Sequence, residues 1–404
     1  MNVNIASPEF KANPHPFYAR LRAEAPICRV TLPSLGNQPA WLITRYDDVT
    51  LALKDERFIK NKLNALTPEQ AVRQPWVPGM VKPLERTMLD LDEPDHTRLR
   101  ALVHKAFTPR LIEQMRERIQ ALADDLLDAV QGRGRMDLIH DYALPVPTTI
   151  IAEMLGVPVK DRQKFHRWSS AIVSSNLSAW GMVKAIPNVM AFIGYIRKLL
   201  KLRRANPQDD LVSALVQAAE AGDQLSEDEL LAMVFLLLLA GHETTVNLIG
   251  NGTLTLLEHP DQMEKLRNDP ALIKPAVEEL LRYNGPLETA TERYAREDVP
   301  LAQVSIPRGE MVFAVLASAN RDERQFADPD TLDLTREPNK HLAFGQGVHF
   351  CLGAALARLE GQIAINTLLR RIPDMRLAVA PGALRWRRGL VLRGLAALPV
   401  AFAQ

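Results

Sequence analysis

Cysteine is nearly absent. Cys28 and Cys351 are the only two in 404 residues. That excludes a disulfide framework and any metal site built from four thiolates. An excess of one charge is also lacking: 49 Lys and Arg stand against 48 Asp and Glu. No bulk attraction to nucleic acid or to an anionic membrane surface is expected. Nor is there a hydrophobic run long enough to span a bilayer. The most apolar stretch, LLAMVFLLLLAG from Leu230 to Gly241, falls short of the roughly 18 to 20 residues a span needs, and it reads as a buried helix. The N-terminus, MNVNIASPEFKANPHPF, has no charged-then-apolar signal pattern. A cytoplasmic protein with no nucleic-acid partner and no membrane span is expected.

What is present suffices for a large core, with 47% hydrophobic and 24% charged residues. No repeat or low-complexity linker divides the chain, so residues 1–404 read as one domain. Short helices and strand-like pieces such as Trp41 to Thr44 fill the first hundred residues. Thr108-Pro109 opens a long amphipathic helix, with Pro at its first position and Gly132 and Gly134 closing it. Ser226 with Glu229 forms a capping box, from which a helix is predicted to run to about Glu258. Another covers Ala271 to Tyr283, short strands occupy Arg293 to Val315, and a last helix runs from Gly353 to about Arg371. The fold class is mainly α with a smaller β portion.

The chemistry gathers at FGQGVHFCLG, Phe344 to Gly353. A lone cysteine is ordinarily a small buried hydrophobe. Gly345 and Gly347, however, permit a tight loop, and Cys351 stands at a helix start, where free N–H groups and the helix dipole favour a thiolate. Gly353 leaves room for a flat ligand. A second polar group interrupts the long apolar helix at Ala240-Gly241-His242-Glu243-Thr244-Thr245. Glu and Thr there are costly unless paired or functional. Glu279 and Arg282, three apart on one helix, are able to bond each other.

These three motifs, in this order, resemble those of cytochrome P450. FGQGVHFCLG is similar to the haem-binding signature FxxGxxxCxG with every fixed position filled. AGHET is similar to the oxygen-binding [A/G]Gx[D/E]T, and Glu279-Leu280-Leu281-Arg282 to the ExxR pair. The resemblance covers nearly the whole chain and is strongest from Ser226 to Arg371. It is closest to bacterial members acting on macrolide polyketides, with similarity to those acting on fatty-acyl chains.

The resemblance implies the P450 fold and haem b ligated by Cys351, with Phe344 and Gly345 in the cofactor loop. His96, Arg100, Arg293 and His349 would meet the haem carboxylates. Glu243 and Thr244 would relay protons to dioxygen, while Glu279 and Arg282 would be structural. Their third partner stays open among Asn320, Arg336 and His341, because Thr331 stands near the place where the family often has an Arg. Substrate contacts would come from Met88, Leu89, Phe235, Leu236, Ala240, Leu287, Thr289, Ala290, Val391 and Leu392. Ordinary core packing is the alternative, strongest for Phe235 and Leu236. The expected reaction is hydroxylation or epoxidation of a hydrophobic small molecule.

The chain has neither a dinucleotide fingerprint nor thiolates for an iron–sulfur cluster. Its two electrons would therefore come from a separate ferredoxin or flavodoxin with an NAD(P)H-dependent reductase. Lys105, Arg110 and Arg358 are candidates for docking it. A peroxygenase, a C–C coupling enzyme, an isomerase and a non-catalytic haem sensor are the alternatives.

Overall fold

The computed structural model describes residues 3–67, 86–162, 179–220 and 225–403, with a few single residues between them. The architecture is mainly helical with a smaller β portion, as expected. Two compact units emerge, taken over their described residues. One comprises Met1–Thr67, Arg116–Val146 and Thr244–Gln404; the other comprises Pro68–Met115 and Pro147–Glu243.

The strands are β1 (Ile27–Leu32), β2 (Gln38–Ile43), β3 (Phe58–Ile59), β4 (Arg135–Asp137), β5 (Arg293–Ala295), β6 (Val299–Leu301), β7 (Val304–Ile306), β8 (Met311–Ala314), β9 (Arg376–Leu377) and β10 (Pro399–Ala401). All lie in the first unit. Five form one sheet in the order β1-β2-β8-β5-β3, and smaller sheets are β4-β10-β9 and β6-β7. β1 and β2 pair antiparallel, with Trp41 opposite Arg29, whereas β2 and β8 run parallel. Period-two alternation buries Val30 and Leu32 of β1 and exposes Arg29 and Thr31, while Ile27, at the strand's start, is buried out of that pattern. Cys28 lies half-buried in β1 against the neighbouring core. Burial pushes its thiol up from the usual range, which suits a packing role.

Two helices of this unit carry the motifs, Ile273–Asn284 and Ala354–Arg371. Both approach the C-terminal half of the long helix Glu227–Glu258. A Cβ at Gly361 would stand 2.8 Å from Leu248 and 3.7 Å from Val277, so only glycine allows all three to come this close. Tyr142 fixes the same helix from another side, its hydroxyl donating to the Ala364 carbonyl at 2.8 Å.

The second unit holds the Asp95–Ala106, Ala179–Ala205 and Leu211–Glu220 helices and the first half of the long helix. The capping box forms as expected: Glu229 N–H donates to Ser226 Oγ at 3.1 Å, and Ser226 N–H to Glu229 Oε2 at 2.8 Å. Arg98 adds an ion pair to Glu229. The long helix ends at Glu258, as its pattern predicts.

Two boundaries differ from expectation. The helix opened by Thr108 is two, Pro109–Gln114 and Arg116–Gln131. Met115 N–H bonds back only three residues, to Ile112, and this tightened turn ends the first piece. The next motif helix begins at Ile273 rather than Ala271, because Asp269 caps a separate turn over Pro270–Leu272.

Candidate active site

Cys351 ends a loop whose shape is set by backbone bonds. Gly345 and Gly347 take positive φ, 69° and 75°. A Cβ at Gly347 would also come within 2.7 Å of the Leu53 carbonyl oxygen, so the loop passes against the preceding chain only with glycine there. A short turn over Gly347–His349 follows. The Cys351 N–H then donates to the Phe344 carbonyl at 2.9 Å, closing the loop on itself. The helix from Ala354 begins three residues later, and the unshared N–H groups and dipole of a helix start favour a thiolate. Cys351 is half-buried. A Cβ added at Gly345 or Gly353 would meet nothing within 4 Å. A partly accessible thiol at a helix start, between two glycines facing open space, fits a flat, thiolate-bound group.

The Glu279–Arg282 pair is fully buried and doubly bonded, with 2.7 Å at both contacts. Arg336 supplies its third member, Nε donating to Glu279 Oε1 at 3.1 Å, and Asn339 donates to Oε2 at 3.1 Å. Arg282 also donates to the carbonyls of Asn320, Pro329 and Thr331. The loop therefore contributes backbone oxygens where a side chain was sought, and Thr331 takes part through its carbonyl alone. His341 bonds Glu278 instead, at 3.0 Å.

Arg293 is buried in β5 and donates toward the carbonyls of Phe58 and Leu53. His349 is half-buried in the Cys351 loop. Leu287 and Leu392 form an isolated antiparallel bridge, and Glu288 N–H donates to Val391 O at 2.8 Å. One ribbon therefore gathers Leu287, Thr289, Ala290, Val391 and Leu392. The packing alternative holds in part: Leu287 and Ala290 lie against the sheet core, and the Thr289 hydroxyl is engaged by Leu390 O at 3.3 Å.

Behind this ribbon stands a buried cluster that sequence reasoning missed. Lys11 Nζ donates to Glu288 Oε2 at 2.7 Å, with both side chains fully buried. The Tyr18 hydroxyl donates to the other oxygen of Glu288. Burial, then the Glu288 charge, pushes the Tyr18 hydroxyl well above its usual range. The only signal was an acid beside Leu287 in PLETA, and its partners lie more than 250 residues away.

Along the long helix, Leu230 to Leu238 are buried, Ala240 is exposed, and Gly241 and Thr244 are half-buried. Ala240 and Thr244, four apart, share a helix face. His242 is buried, its Nδ1 at 2.8 Å from the Leu238 carbonyl. The helix stays continuous here. Further along it, the Thr253 and Thr255 hydroxyls donate back to the Ile249 and Asn251 carbonyls, at 2.7 and 2.8 Å. Glu360 was also missed. This glutamate of the Cys351 helix is wholly buried. Burial raises its carboxyl to about 8, against a lowering bond from Thr245.

In the second unit, His96 and Arg100 share the Asp95–Ala106 helix, with His96 buried. Burial, and then the Arg100 charge, lowers the imidazole below its usual range. Met88 lies buried in a short turn and Leu89 is half-buried. Phe235 and Leu236 are buried, Phe235 meeting Phe192 edge-on at 6.0 Å. Glu243 is buried as well.

The family model described as cytochrome P450 matches residues 2–372. The chain is a cytochrome P450. "Cytochrome P450 107B1" of Saccharopolyspora erythraea is 48% identical, over 97% of this chain and 95% of its own length. "Polyketide biosynthesis cytochrome P450 PksS" of Bacillus subtilis is 46% identical, over 98% and 97%. The crystal structure of myxobacterial CYP267B1 in complex with myristic acid superposes with a TM-score of 0.92, at 46% identity and 99% coverage of both chains. As a P450 monooxygenase, the protein is an oxidoreductase that carries haem b.

Proposed function

We propose that Cys351 is the thiolate that would hold the haem iron of this P450 and that the chain works as a single haem domain. The Cys351 loop carries the reading, since its glycine turns and its bond to Phe344 present one cysteine at a helix start. His96, Arg100, Arg293 and His349 are the cationic or donor groups for the two haem carboxylates, which need such partners when buried. Bound haem supplies the reductive activation of dioxygen, with one oxygen atom going to substrate and the other to water. Thr244, through its hydroxyl, and Glu243, through its carboxyl, hold and pass the protons this consumes.

The substrate is a hydrophobic small molecule of the polyketide, fatty-acid or terpenoid kind. The apolar residues of the Leu287–Leu392 ribbon support that, with Met88, Leu89, Phe235, Leu236 and Ala240 as further contacts. So do a relative named for polyketide biosynthesis and a structural neighbour holding myristic acid. Electrons come from a ferredoxin or flavodoxin with its reductase, in the cytoplasm. Lys105, Arg110 and Arg358 remain candidates for docking. Glu278 pairs the Arg358 charge through two bonds, at 2.7 and 2.8 Å.

The reduced protein under carbon monoxide is expected to show the red-shifted Soret band of thiolate-bound haem. Cys351→His is expected to abolish it. A haemoglobin-like band in the unmutated protein would sink the reading.

A further inference from the structure

Glu278 stands immediately before the ExxR glutamate and belongs to no motif. Its carboxylate nonetheless joins two residues on either side of the Cys351 loop. Arg358, on the helix after the cysteine, donates Nε to Oε1 at 2.7 Å and Nη2 to Oε2 at 2.8 Å. His341, just before the loop, stands with Nε2 at 3.0 Å from Oε2. The Ala343 N–H donates to His341 Nδ1 at 3.2 Å, so Nε2 carries the ring proton and donates to Glu278. Partial burial raises the Glu278 carboxyl, but these two partners outweigh it and hold the group at about 2. The carboxylate therefore stays charged at every working pH.

Both partners converge on one ring. The Arg358 guanidinium lies 4.4 Å from the Phe344 centroid, and the His341 ring lies at 5.9 Å. Phe350 meets the same ring edge-on at 6.4 Å. Phe344 is the residue whose carbonyl accepts the Cys351 N–H. With about a quarter to a third of each side chain exposed, the Glu278–Arg358 pair adds little to stability. Its geometry instead holds a flat cation over an aromatic face, an arrangement that a bidentate carboxylate keeps in register.

We propose that Glu278 is a positioning residue for the cysteine loop. By orienting Arg358 and His341 against Phe344, it fixes the Phe344 carbonyl and so the Cys351 N–H, and through them the reduction potential of the bound haem. This rests on Cys351 being the iron's ligand. Because Glu278 also neutralises Arg358, losing its charge leaves an unpaired cation beside the loop, which favours the reduced state.

The test is spectroelectrochemical titration of the haem-loaded enzyme against Glu278→Gln and Arg358→Lys, with thermal melting to confirm folding. Arg358→Lys keeps the cation but loses the planar two-point grip. Glu278→Gln is expected to move the ferrous-to-ferric ratio at fixed potential by at least about twofold toward ferrous. Arg358→Lys should move it by a similar factor, and both variants should keep the red-shifted carbon monoxide band. Unchanged potentials in folded variants that keep that band would overturn the proposal while leaving the ligand assignment intact. A shift in Glu278→Gln alone would show charge without positioning and overturn it as well. Absence of the band from the unmutated enzyme would remove the ligand assignment and the proposal together.

Discussion

Thr244 and Glu243 are neighbours in sequence but differ in setting, one half-buried and the other buried. Thr244 stands four residues after Ala240 on the same helix. Thr244→Ala is expected to leave the haem spectrum intact while diverting electrons from product to peroxide and water. Product formed per NADPH consumed should fall several-fold with surrogate redox proteins. Unchanged coupling would count against a role for this hydroxyl. At this scale the sequence was most legible for residues whose neighbours are local: the Cys351 loop, the capping box and the Glu279–Arg282 pair. Glu288 and Glu360 were not legible. Each looks like a surface acid until distant chain segments cover it, and nothing in a local pattern records that Lys11 will arrive from the other end.

Among the elements, the Ile273–Asn284 helix carries two adjacent glutamates with different duties. Glu278 serves the cysteine loop. Glu279 is fully buried against Arg282 and draws Arg336 and Asn339 from the loop that follows. Removing one member of a buried ion pair leaves an uncompensated charge and costs about 3–5 kcal/mol. Glu279→Gln should therefore lower the denaturant midpoint sharply, with Arg336→Ala, whose side chain is 12% exposed and reaches Glu279 through one bond, costing less. Equal, small losses in both would contradict this ranking. Helix positions were readable from periodicity and caps, but their ends were not. The break at Met115 and the start at Ile273 depend on backbone bonds over three residues or fewer. The partner of Glu279 stayed open for a related reason, since several candidates lay on one loop and only its path selects Arg336.

For the whole molecule, near-zero net charge leaves stability against pH to a few buried groups. Glu360 is the clearest. Its carboxyl titrates near 8 when folded, against 4.5 for the ordinary group. The folded state thus holds a proton that the unfolded chain has released. The stabilisation is complete below about pH 4.5 and is lost as pH rises toward 8, a change on the order of a few kcal/mol. Glu360→Gln should flatten the urea midpoint across that window, and a slope as steep as that of the unmutated protein would refute the assignment. The expectation of a mainly α architecture held, and the three motifs in order carried it, because their spacing is a property of the chain rather than of its packing.

The ribbon joining Leu287 to Leu392 has a front of small and apolar side chains and a back fastened by Lys11, Tyr18 and Glu288. That division matters for directed evolution. On the substrate contacts proposed above, libraries at Leu287, Ala290, Val391 and Leu392 are expected to alter substrate range on a fixed support, whereas trimming the N-terminus past Lys11 would unfasten the support itself. An amino-terminal truncation tolerable for expression is thus expected to change what the enzyme accepts.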